Sequence, residues 1–128
     1  MFSNLKIGLE ARVEKIVTDK DTAAEFGSGD IYVFASPVMI GLMENASLNA
    51  VDKELGNEYS TVGINVNVNH ISATPVGQKV YAVAKLIEID GKKLCFKVEA
   101  YDENKKIGEG THTRYIVNIE KFLNKIKN

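Results

Sequence analysis

The chain has 128 residues, 45% of them hydrophobic, with 16 basic and 17 acidic side chains and a formal net charge of -1. A chain of this length buries about two thirds of its unfolded surface, enough for one core without staples. The even charge balance argues against nucleic acid or an anionic membrane as partner.

Residues 8 to 18, GLEARVEKIVT, alternate as a first strand does. Their upstream neighbours, MFSNLKIGLEARVEK, carry charges where a signal peptide would be apolar, and no apolar run reaches the ~20 residues of a membrane-spanning helix. The expectation is a soluble, cytoplasmic protein. Residues 19 to 34, including DKDTAAEFGSGD, are rich in glycine and poor in apolar side chains, as a mobile loop or lid would be. Ser36-Pro37 then predicts a helix, with Ser36 as N-cap and Pro37 as its first residue, ended by Gly56 after Leu55.

The next stretch, YSTVGINVNVNHI, predicts a strand whose apolar face is even-numbered: Val62, Ile64, Val66 and Val68. KVYAVAKLIEI follows, then Asp90-Gly91 as a two-residue hairpin, KKLCFKVEAYD, a turn at Glu103-Asn104, and KKIGEGTHTRYIVNI. The lone Cys95 cannot form an internal disulfide and reads as a small buried side chain. The final EKFLNKIKN reads as the end of an amphipathic helix. A strand, a long apolar helix and an antiparallel meander give an α+β protein. The order is that of a hotdog fold, one domain over residues 1–128 with a sheet curled around a central helix.

Glu44 is out of place in the apolar stretch FASPVMIGLMENAS. On a helical wheel it neighbours Pro37, Ile40, Gly41, Ser47, Leu48 and Val51, away from the polar Asn45, Asn49, Asp52 and Lys53. A carboxylate in an apolar stripe needs a partner or a site. His70 has the parity of Val66 and Val68, so it points to the helix side. Glu44 and His70 then form either a structural bridge between helix and sheet or part of a catalytic centre. Ser36, eight residues before Glu44, lies about 12 Å from it along a helix. Bringing the two to one atom calls for a symmetric dimer.

Three segments, FASPVMIGLMENAS, HISATPVG and VEAYDENKKIGEGTHTR, together resemble the fluoroacetyl-coenzyme A thioesterase-like family of hotdog proteins, over roughly residues 8 to 118. The resemblance implies a homodimeric, or higher-order, thioesterase hydrolysing short acyl-coenzyme A esters. Ser36, Glu44 and His70 match the family's hydroxyl, carboxylate and histidine, with Ser where the fluoroacetyl specialist has Thr. Phe34, Pro37, Gly63, His112 and Arg114 are the expected substrate contacts. The specialist's aromatic lid is not matched by AAEFGSGD, whose one aromatic is Phe26, so a generic small acyl group is expected.

No phosphate-binding glycine motif or metal-ligand spacing occurs, so no cofactor beyond the substrate's own coenzyme A is expected, and no metal. Helix-start amides would polarise the thioester carbonyl. Either Glu44 acts as base or nucleophile with His70 assisting, or Ser36 attacks with His70 as base and Glu44 as orienter. The main rival is a non-catalytic acyl-coenzyme A sensor. A hotdog hydratase lacks its Asp and His motif here, and a ligand-free structural protein leaves Glu44 unexplained.

Overall fold

The computed structural model describes residues 2–127. In chain order these are β1 (Glu10–Ile16), the short α1 (Ala23–Phe26), the long α2 (Ser36–Val51), β2 (Tyr59–His70), β3 (Lys79–Asp90), β4 (Lys93–Tyr101), β5 (Lys106–Asn118) and α3 (Ile119–Ile126). The strands form one five-stranded sheet ordered β1-β3-β4-β5-β2, and every pairing is antiparallel.

The sheet curls around α2, the hotdog arrangement the element order predicts. Met39, Met43, Ala46, Ser47 and Ala50 recur at helical spacing and form the buried face of α2. Opposite them lie Val80, Ala82, Ala84 and Leu86 on β3 and Leu94, Phe96, Val98 and Ala100 on β4, all 0% exposed. Burying a large apolar side chain of this kind stabilises the fold by about 1.5–3 kcal/mol. Alanines on β3 and Gly108 on β5 let the helix approach closely. A Cβ on Gly108 would sit 2.6 Å from Met39 Sδ.

Several local expectations shift. The helix is capped by Ala35, without a side-chain cap, so Ser36 is the first helical residue and Pro37 the second. The β3–β4 hairpin turns at Gly91-Lys92, one residue later than predicted, closed by the Asp90–Lys93 pair with Gly91 at φ 61°. Cys95 is only half-buried, because it alternates with core residues Leu94 and Phe96 and faces outward beside Thr113. Gly56 takes φ 83° where the helical segment ends, after a single 3-10 turn over Asp52–Glu54.

The loop before α2 is stitched down rather than open. Ala23 N donates to Val33 O (2.8 Å), Ala24 N to Ile31 O (3.1 Å), Ala35 N to Asp21 O (2.8 Å) and Phe34 N to Thr74 O (2.9 Å). Its tip keeps Phe26, Ile31 and Tyr32 exposed.

The largest correction concerns β2. Its pairing with β5 slips between Gly63 and Asn65, leaving Ile64 as an extra residue. A bulge flips side-chain parity along a strand. Before it, the odd residues Thr61 and Gly63 face the helix, opposite buried Ile116 and Arg114. After it, the even residues Val66, Val68 and His70 do, opposite His112, Gly110 and Gly108. Val62 therefore faces outward with Tyr115, and Ile64 is 53% exposed.

Candidate active site

Ser36 and His70 come together. With Ala35 serving as cap, the Ser36 hydroxyl is free of that duty and lies 2.6 Å from His70 Nδ1. His70 ends β2 on the helix side, and the Ile71 N to Ile107 O bond (2.8 Å) fixes the chain beyond it. The other ring nitrogen, Nε2, is sealed from solvent without a hydrogen-bond partner among the described residues. Burial pushes the imidazole below its ordinary value, and the Ser72 backbone partly opposes this by favouring a proton on the ring. A neutral ring protonated on the sealed Nε2 leaves Nδ1 to accept the Ser36 proton, the relation between a nucleophile and its base.

A cleft of about 420 Å³ opens over this pair, lined by Ala23, Val33, Phe34, Ser36, His70 and Ile71 among others. Phe34 is 1% exposed and forms part of its floor; Pro37 is not among the lining residues. The expected row of free amides at the helix start is thinner than supposed. Val38 N and Met39 N both donate to Ala35 O, at 3.1 and 3.0 Å, and Pro37 has no N–H. The Ser36 amide is the one left to meet an oxyanion.

Glu44 lies elsewhere. It is half-buried on α2, beside Gly63: a Cβ built there would meet Glu44 Oε2 at 3.2 Å, His112 Cε1 at 3.1 Å and Arg114 Nη1 at 3.5 Å. Glu44 shares the helix-facing layer with His70, as the sequence suggests, but the two do not pair within one chain. His112 and Arg114 are 1% and 7% exposed, beneath Gly63 rather than in the cleft. Thr61, which holds the Arg114 guanidinium through Nε (2.7 Å), was missed by the sequence reading; its only signal was parity with Gly63 on a strand read in the opposite phase. Among the described residues no group of three His, Cys, Asp or Glu side chains converges as metal ligands would.

One chain thus carries two separate clusters: a hydroxyl and imidazole at the His70 end of β2, and a carboxylate against Gly63. The strand joining them, β2, is one of the two edge strands of the sheet.

Comparison with known proteins gives a consistent result. The fluoroacetyl-CoA-specific thioesterase family model matches residues 17–120. The fluoroacetyl-CoA thioesterase of Streptantibioticus cattleyicolor is 38% identical over 95 residues, covering 74% of this chain and 68% of that protein. Among solved structures, a threonine-to-serine mutant of a fluoroacetyl-CoA thioesterase in complex with acetyl-CoA superposes with a TM-score of 0.90 at 31% identity, covering 96% of this chain and 97% of that one. A thioesterase superfamily member from Thermus thermophilus gives 0.85 at 27% identity, covering 95% and 93%.

Proposed function

The chain belongs to the fluoroacetyl-CoA-specific thioesterase family and is an acyl-CoA thioesterase; from that premise we propose that it hydrolyses a short acyl-CoA ester at a site shared between two copies of the chain. The observation that carries this reading is the separation of the two half-sites, Ser36–His70 at 2.6 Å and Glu44 against Gly63.

The sheet edges support a dimer. Edge strand β1, EARVEKI, carries four charged side chains among its seven residues, the usual protection against stray pairing. Edge strand β2, YSTVGINVNVNH, carries no Asp, Glu, Lys or Arg and exposes Ile64 and Val66 by 53% and 41%. Two β2 strands related by a twofold axis at Asn67 would set Val66 opposite Val68 of the partner subunit, on matching faces. Continued past the bulge, that register brings Gly63, and Glu44 with it, opposite His70 of the partner subunit.

In such a site Ser36 Oγ attacks the thioester carbonyl while His70 Nδ1 takes its proton. The Ser36 amide faces the developing oxyanion. The C–S bond breaks, and His70 returns the proton to the departing coenzyme A thiolate. Glu44 of the partner subunit then draws a proton from water as it attacks the acyl-serine; the acyl C–O bond breaks, that proton passes to the departing Ser36 oxygen, and the free acid leaves. The exposed Ser36 hydroxyl, already paired with its base, favours this route over direct attack by Glu44.

The test measures thiol release from a panel of acyl-CoA esters. Ser36→Ala, His70→Ala and Glu44→Ala should each remain folded and lose turnover. Mixing unfolded-and-refolded Ser36→Ala with Glu44→Ala should restore about a quarter of wild-type activity. Half of the dimers formed by random pairing are mixed, and each mixed dimer has one intact site of two. No recovery would defeat the shared site, and saturable binding without turnover on any ester would favour an acyl-CoA sensor. Asn67→Cys should crosslink copies through a disulfide, since facing residues of an antiparallel pair lie about 4.5–5.5 Å apart.

A further inference from the structure

We infer that Arg114, mounted on Thr61 and His112, is a positioning residue that holds the Glu44 side chain over Gly63. This rests on the shared-site reading and deepens it.

Each part of the mount has a forced direction. The Asn65 carbonyl can only accept, so His112 Nδ1, 2.7 Å away, carries the proton. His112 Nε2 is then an acceptor, and it takes a hydrogen bond from Arg114 Nη1 at 3.1 Å. Arg114 Nε donates to Thr61 Oγ1 at 2.7 Å and Nη2 to the Thr61 carbonyl at 2.8 Å. The guanidinium is thereby fixed from three directions between β2 and β5. The chain of bonds runs back to Asn65, the first residue past the bulge.

All of these acceptors are neutral. Burial pushes the Arg114 guanidinium below its usual value, and the Glu44 carboxylate, then Asp52, oppose that. Asp52 is already engaged by the Ser60 hydroxyl at 3.1 Å, whereas Glu44 makes no hydrogen bond among the described residues. His112 is likewise pushed down, first by burial, with the nearby Arg114 charge adding to it, and remains a neutral spacer. Glu44, His112 and Arg114 converge on the space a side chain at 63 would fill. The buried Arg114 cation and the Glu44 carboxylate thus approach one another across that space without a direct ion pair. A lysine could supply the charge but not three diverging donors in one plane.

The test is a double-mutant cycle on the dimeric enzyme with a short acyl-CoA ester. Arg114→Gln should lower kcat about 10–100-fold with KM changed less than about twofold, the pattern of a misplaced reacting group. Arg114→Lys should recover only part of that loss, and Thr61→Val, which loosens the mount but keeps the charge, should lose a smaller factor. In a Glu44→Gln background, adding Arg114→Gln should change kcat by less than about twofold. The same four proteins, compared by thermal unfolding, should also show a non-additive pair. An inactive Glu44→Gln with additive effects in both cycles would overturn the inference alone. Wild-type turnover in Glu44→Gln would overturn the parent reading and the inference with it.

Discussion

Replacing Asp102 with Asn should cost about 2 kcal/mol of stability at neutral pH, and the cost should fade in acid. Asp102 sits in the β4–β5 turn with its side chain 0% exposed. It accepts hydrogen bonds from Thr74 Oγ1 (2.8 Å), Asn104 N (2.8 Å), Lys105 N (2.9 Å) and Lys105 Nζ (2.8 Å). Burial alone would push the carboxyl up. The Lys105 ammonium, the Asn104 and Lys105 amides and the Thr74 hydroxyl outweigh it and hold the group down to about 2. The gap from the ordinary 3.8 corresponds to about 2 kcal/mol of folding free energy. Because the folded-state value is depressed, that stability is complete above about pH 4 and is lost as pH falls toward 2. Counting bonds leads to a similar figure: an amide cannot satisfy all of these donors, and one buried donor left unmet costs about 1–3 kcal/mol. For a chain of this size the melting temperature should fall by about 6–9 °C. Urea unfolding of both proteins at pH 7 and pH 2.5 measures the gap directly. A gap below about 0.5 kcal/mol at pH 7, or one of equal size at both pH values, would refute the reasoning. Thr74 also accepts the Phe34 amide at 2.9 Å, two residues before Ser36, so the variant should lose turnover as well as stability.

Because burial holds His70 below its ordinary 6.5, its neutral, proton-accepting form persists into mild acid. The acid-side loss of kcat/KM should therefore fall below pH 6.5; a midpoint above that value would remove His70 as the base. Gly110→Ala should prise β2 from β5, since its Cβ would overlap the Asn67 carbonyl oxygen and approach Val68 Cα at 2.6 Å. A loss of about 3 kcal/mol or a failure to fold is expected, read from denaturant unfolding and soluble yield; a wild-type melting curve would contradict the close pairing.

Local signals carried much of the architecture into the sequence. The alternation in KVYAVAKLIEI and KKLCFKVEAYD marked strands that are buried on one face, and Ser36-Pro37 located the start of α2 to within a residue. His70 was assigned to the correct face although Val62 and Ile64 were not, because the bulge lies before it and the parity after it is unbroken. Gly63 in mid-strand was the available sign of that irregularity. The Ser36–His70 contact spans 34 residues of chain and depends on how the 71–77 segment returns to the sheet, which periodicity does not encode. The same holds for Glu44, which sheet curvature brings beside Gly63 together with Arg114 of β5. Asp102 is only the last residue of the stretch read as a strand, KKLCFKVEAYD; its importance comes from Thr74, brought to it from another loop.

Under the proposed β2–β2 pairing, the uncharged edge also bears on the time before two copies meet. A newly folded copy presents 12 residues of strand with no electrostatic guard, so it meets another copy in a race between two outcomes. The proposed twofold pairing would close the edge, while pairing out of register would offer a fresh edge to a third copy and start a chain of additions. Both steps accelerate with concentration, but only the second continues after the first encounter. Asn65, Asn67 and Asn69 along this strand have low β-propensity, which slows indiscriminate pairing without the repulsion that charges would bring to the correct one.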